Sequence, residues 1–175
     1  MKRRILLKTA VAVPVVLAGG GAGISAVAAG KEYNLSSLFE ELQALDGQHL
    51  RSGTSWSVSE VFQHCAQSIR GSMDGYPQHY SPVFKHTAGS AALAVFRASG
   101  AMRHNLTEGL PGMPVADASV EQNAALHMLL AALQDFNAYQ GALAPHFAYG
   151  ELDKSAYAAA HWLHIRNHLQ QIFPA

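Results

Sequence analysis

The stretch His161-Trp162-Leu163-His164-Ile165-Arg166-Asn167-His168-Leu169-Gln170-Gln171 decides how the rest of this 175-residue chain is read. Its histidines recur at intervals of three and four residues. Because 3.6 residues complete a helical turn, positions i, i+3 and i+7 fall on one stripe of an α-helix. Imidazole is the commonest biological metal ligand, and the i, i+4 pair His164 and His168 lets two rings share one ion. A polar seam of hydrogen-bonded core histidines would show the same spacing, so the pattern alone leaves both readings open.

Working outward, the same periodicity recurs through the chain. Leu35, Leu38, Phe39, Leu42 and Leu45 make an apolar stripe that predicts a first helix over Leu35 to Leu45. Ser57-Val58-Ser59-Glu60 reads as a capping box opening a second helix, whose inward face of Val58, Val61, Phe62, Cys65 and Ile69 continues to about Met73. Tyr76 to Lys85, broken by Pro77 and Pro82, reads as loop. A third helix is expected over Thr87 to Ser99, ending at Gly100. Leu110 to Pro114 has turn chemistry, and a fourth helix is expected from Ser119 to Tyr139 on the stripe Leu126, Leu129, Leu130, Leu133 and Phe136. A second loop, Leu143 to Gly150, leads to a last helix over Ser155 to Ile172. No run alternates like a strand. The expected class is all-α: a four-helix bundle with a short extra helix and long ordered loops, one domain over residues 30–175.

Composition supports a packed domain. Hydrophobic residues make up 49% and charged residues 14%, which excludes a disordered chain. The formal net charge is zero, yet Lys2, Arg3, Arg4 and Lys8 crowd the first eight positions, leaving 8 basic against 12 acidic groups in the remainder. A mildly acidic body argues against nucleic-acid binding, which needs a basic face to neutralise phosphates. The single cysteine, Cys65, rules out an intrachain disulfide or a cysteine-built cluster within one chain, and it reads as a buried apolar thiol.

Residues 1–29 read as a targeting segment. Lys2-Arg3-Arg4-Ile5-Leu6-Leu7-Lys8 is similar to a twin-arginine export motif, an apolar run from Thr9 to Ala29 follows, and Ala26-Val27-Ala28 fits a cleavage site. Gly19, Gly20, Gly21 and Gly23 weaken the run as a spanning helix, although a retained membrane anchor stays open as the alternative. The reading implies the twin-arginine export machinery as a partner and a periplasmic or otherwise exported location. Such export carries folded proteins, often with cofactors loaded, which fits a metal acquired beforehand.

Bundles build metal and ligand sites from inward side chains on facing helices. If the last helix supplies His164 and His168, a third ligand must come from elsewhere, and His64 is the strongest choice: it is mid-helix and flanked by apolar residues. Three histidines leave a position for water or substrate, as in catalytic rather than structural zinc sites. Zinc, nickel, iron and copper all accept such ligands, so the sequence does not choose the metal.

The order Trp56…Val61-Phe62-Gln63-His64, Pro145-His146-Phe147-Ala148-Tyr149-Gly150 and His164-x-x-x-His168-x-x-Gln171 resembles the DinB-like superfamily of bacterial helical bundles. The segments Phe62 to Pro82 and Pro145 to Leu169 resemble one of its uncharacterised branches more closely, and the similarity covers about Leu35 to Phe173. The resemblance implies a four-helix bundle with a divalent metal on His64, His164 and His168. Some members of the superfamily use that metal to activate a thiol or water for transfer, isomerisation or hydrolysis. This chain departs from many relatives in carrying Asn167-His168 where they pair two histidines, and His161 is an extra residue on the stripe.

Around those ligands, His161, Gln171 and Tyr149 are expected to support the ligands from behind or to line the pocket. His146, in a loop that can fold over the bundle mouth, and Glu60, four residues before His64, are the candidate catalytic groups; the capping box already accounts for Glu60. His49, His79, His86, His104 and His127 share no periodicity and read as surface or loop residues. Paired Glu-x-x-His motifs, Cys-x-x-Cys-His, a phosphate-binding glycine loop and a serine-hydrolase elbow are all absent. Two function classes follow: an exported metal-dependent enzyme (a hydrolase or a thiol-linked transferase or isomerase) acting on an unidentified small molecule, or a non-enzymatic bundle binding a metal or small ligand. The sequence leaves a homodimer open.

Overall fold

The computed structural model describes residues 33–175. The expected leader lies outside them. Helix α1 (Leu35–Gln43) starts where the Asn34 side chain accepts the Ser36 and Ser37 N–H groups, two donors that a first helical turn leaves without partners. Helix α2 (Val58–Asp74) opens on the expected capping box: Ser57 Oγ accepts from Glu60 N at 3.2 Å, and the Glu60 carboxylate accepts from Ser57 N at 2.7 Å. After a loop, α3 (Pro82–Phe84) passes through a π-helical stretch (Lys85–Gly89) into α4 (Ser90–Ser99), which Gly100 ends at φ 73°. Helix α5 (Gln122–Ala138) and helix α6 (Lys154–Leu169) complete the helical set, α6 being capped by Asp153, whose carboxylate accepts from Ala156 N at 2.7 Å. The fold is an all-α helical bundle.

One core is shared by α1, α2, α5 and α6. Leu38 and Leu42 meet Phe62, Cys65 and Ile69 from α2, Leu126, Leu129 and Phe136 from α5, and Tyr157 and Ile165 from α6. Leu126 and Leu129 are fully buried, so truncating either to alanine would cost about 2–5 kcal/mol. Cys65 belongs to this core, and burial pushes its thiol pKa up, leaving an inert apolar side chain. Helix α4 is the extra element; it packs on α6 from outside that core.

Helix α6 differs from its partners in being buried almost all round: Ala156, Ala159, Leu163 and Ile165 are buried, and so are His161, His164 and His168. A helix of that kind lies inside a structure rather than on its surface. One flank joins the shared core; the other runs beneath α4 and the connecting loops. The polar seam read from the sequence is therefore an interior seam.

Four boundaries depart from the sequence-based expectation. The chain becomes helical at Pro82, not Thr87, because proline at the first helical position has no orphan N–H to lose, and Ser81 Oγ caps Phe84 N at 3.2 Å. Helix α5 starts at Gln122, not Ser119, since Asp117 Oδ1 holds Ser119 N at 2.8 Å in a turn. The first helix ends at Gln43, where the Leu45 and Asp46 N–H groups bond three residues back. The last helix ends at Leu169: beyond it β2 (Ile172–Pro174) pairs antiparallel with β1 (Leu50–Ser52), Arg51 opposite Phe173. This two-stranded ribbon was not expected, because three-residue strands carry no readable alternation. Among the described residues, no helix is long and apolar enough to cross a membrane.

Candidate metal centre

Helices α2 and α6 cross so that His64 faces His164 and His168. His64 Nε2 stands 3.1 Å from His164 Nε2, and His168 Nε2 stands 3.1 Å from the same atom. The three ligand atoms all lie within 4.8 Å of one another, and all three residues are buried. Trp56 packs edge-on to the His64 ring at 5.1 Å and shields that side.

Hydrogen bonding alone does not satisfy this arrangement. An imidazole nitrogen carries either one lone pair or one hydrogen, whereas His164 Nε2 is approached by two other Nε2 atoms. At most one of those approaches is a sound hydrogen bond. Three lone pairs converging on a shared cation resolve the conflict: nitrogens bound at 2.0–2.1 Å in a tetrahedral zinc site stand about 3.3 Å apart. Burial holds each ring neutral, as ligation requires. It lowers the pKa of His64 to about 4 and that of His168 to about 2, with His104 and, for His168, His64 adding to the effect. His164 is also held well below the ordinary value, first by burial and then by His64 and His168.

The cluster opens onto a cavity of about 230 Å³ whose wall includes His64, His164, His161, His146, His104 and Tyr149. His161 donates from Nε2 to Ser72 Oγ at 3.3 Å, because the Ser72 hydroxyl gives its own proton to the Ile69 carbonyl at 2.6 Å. Its ring stacks on Tyr157 and meets the edge of Phe136, and burial lowers its pKa to about 3. His146 Nδ1 accepts from Ala148 N at 3.1 Å and Tyr149 N at 3.2 Å. The neutral ring therefore keeps its hydrogen on Nε2, which makes His146 a donor in the cavity wall and a fastener of its own loop. Tyr149 stacks on that ring at 4.3 Å, and burial raises its hydroxyl pKa to about 12.

Two expected groups are placed elsewhere. The Glu60 carboxylate is engaged at the capping box and does not line the cavity. Gln171 lies past the end of α6, where its carbonyl accepts from Gly53 N at 2.7 Å beside the ribbon, and it does not line the cavity either.

His104 is an exposed loop residue as expected, but its place in the cavity wall is one that sequence reasoning missed. The connector after α4 brings its ring to 5.0 Å from His164 and 5.1 Å from His168, against the cluster's outer side. Its Nδ1 lies 2.8 Å from the Asn105 carbonyl, and a carbonyl only accepts, so Nδ1 carries the hydrogen and Nε2 the lone pair. Packing of the ring lowers its pKa. The segment's turn residues offered no periodic signal that placed this histidine.

The pocket wall is fixed by one backbone approach. A Cβ added at Gly89 would lie 1.9 Å from the Ala148 carbonyl oxygen, so the π-helical stretch and the His146 loop touch main chain to main chain. Such π turns are frequent beside functional sites.

A family described as "Protein of unknown function (DUF1569)" matches residues 31–175. The chain belongs to the DUF1569 family. The match spans α1 to β2, so the three-histidine cluster and its cavity both lie within the DUF1569 domain. No curated protein and no solved structure matches the chain.

Proposed function

We propose that this DUF1569 protein is a metal-dependent enzyme that holds a divalent cation on His64, His164 and His168. One observation carries the reading: two imidazole nitrogens press on the single Nε2 of His164, a contact that a shared cation satisfies and hydrogen bonds do not. A cavity beside the ligands favours catalysis over a purely structural ion, which is normally closed on all sides. When bound, such an ion supplies Lewis-acid chemistry, polarising a carbonyl or lowering the pKa of a ligated water or thiol. The reaction class is hydrolysis, or transfer or isomerisation that uses a thiol.

The chain's own groups divide the remaining work. His104 presents a lone pair at Nε2 on the open side of the cluster and accepts a proton or a hydrogen bond from a bound molecule. His146 presents an N–H to the cavity and orients an acceptor atom. Ser72 fixes the His161 ring, while Trp56 packs edge-on against the His64 ring. The resemblance to DinB-like bundles supports the ligand set, and the leader supports loading before export by the twin-arginine machinery to the periplasm.

Elemental analysis of the purified chain tests the reading. About one zinc, nickel or iron per chain is expected, falling below about 0.2 in His164→Ala. Wild-type protein that stays below about 0.2 after incubation with these metals overturns it.

A further inference from the structure

The cavity also specifies what enters it. Beyond the histidines its wall is built from Tyr80, Phe84, Phe147 and Tyr149, with Met102 and Leu110 beneath them. Tyr80 packs edge-on to Phe84 at 5.0 Å and to Phe147 at 5.7 Å, forming a continuous aromatic surface. Tyr80 and Phe84 are respectively 39% and 40% exposed, so this surface reaches the mouth of the cavity as an apolar approach. Among the described residues lining the cavity there is no lysine or arginine, and Glu108 is the single formal charge. Away from the three-histidine face, a carboxylate or phosphate would find no cationic side chain and one repelling carboxylate. The cavity volume of about 230 Å³ leaves room for an aromatic ring with a short polar head.

We infer that the pocket takes a small molecule with an uncharged aromatic or similarly bulky apolar body, its polar head turned toward His64 and His164. The inference rests on the metal reading, because the head is what meets the three-histidine face. The ring lies between Tyr80, Phe84 and Phe147, and the histidine N–H of His146 flanks it. Gly89 keeps the wall close: a side chain there would push the His146 loop away.

Hydroxamates, which grip divalent ions through two oxygens whatever their tail, separate the two layers of the proposal. The zinc-loaded full chain is titrated calorimetrically with acetohydroxamate, benzohydroxamate and 4-carboxybenzohydroxamate. Benzohydroxamate is expected to bind at least about tenfold tighter than acetohydroxamate, from apolar burial of its ring. The added carboxylate is expected to remove that gain. Tyr80→Ala, at the exposed rim and outside the core, lowers benzohydroxamate affinity severalfold and leaves acetohydroxamate within about twofold; Phe147→Ala acts the same way more strongly. Equal binding of the aceto and benzo probes, or tighter binding of the carboxylate, overturns the apolar-substrate inference while leaving the metal reading intact. A chain that takes up no zinc and binds no hydroxamate overturns both.

Discussion

Two groups of buried histidines lie beside one cavity, and they differ in what their ring nitrogens meet. His161 and His146 are held by ordinary protein groups, the Ser72 hydroxyl in one case and two backbone N–H groups in the other. His64, His164 and His168 meet one another. All five are pushed toward the neutral form by the same cause, burial, so electrostatics alone does not tell the groups apart. The partners do. A buried imidazole with a hydrogen-bond partner is part of the scaffold, whereas three imidazoles crowding one nitrogen make a ligand set.

The comparison breaks most sharply at His164. His164→Ala should weaken zinc binding by well over the 10–100-fold seen when only an orienting group is lost, measured by competition with a chromophoric chelator. In the metal-free state the same variant should lose less stability than His161→Ala, since the buried ring it removes carries the nitrogen on which two others press. His161→Ala should do the reverse. It leaves metal content near wild type and lowers stability by about 1–3 kcal/mol in urea, because Ser72 loses a partner and a buried ring is removed. If both variants lose metal equally, the division into scaffold and ligand histidines is wrong.

A change in the wall itself is next in size. Gly89→Ala should cost about 1–3 kcal/mol through the clash with the Ala148 carbonyl, with metal stoichiometry retained. Thermal melts with and without metal separate that cost from any loss of the ion.

Acid sharpens the scaffold side. His161 titrates near 6.5 when unfolded and about 3 when folded, so below 6.5 the unfolded chain binds more protons. Its contribution is therefore undiminished above pH 6.5 and is lost progressively as the pH falls toward 3; His146 and, in the metal-free chain, His64, His164 and His168 act in the same direction. Metal-free protein should show a urea midpoint that declines through this window, and His161→Gln should remove the His161 share of the decline. The smallest effect is expected at His104. His104→Ala should keep full metal content and change the affinity of small ligands on the open side by less than about tenfold, the worth of one hydrogen bond.

Much of this was legible in the chain. The stripe Leu126, Leu129, Leu133 and Phe136 and the Ser57–Glu60 box announced their helices because helical period and capping are local effects. His64 stood out because an imidazole between apolar neighbours needs an interior partner. His104 did not stand out, since tertiary packing and not spacing swings its connector over His164. Pro82 misled because proline breaks a helix from within but suits its first position. Glu60 and Gln171 were drawn toward the site by sequence proximity to its ligands, while the structure engages the one at a helix cap and the other at a ribbon.

The contact between His64 and His164 spans 100 residues of chain. Closing a loop that long is entropically expensive, and its ends meet only after α2 and α6 have docked. A cation captured there acts late, as a reversible staple on an already assembled bundle. It should leave the refolding rate unchanged and slow unfolding, so the durability of the protein would follow the metal supply of its surroundings while its ability to fold would not.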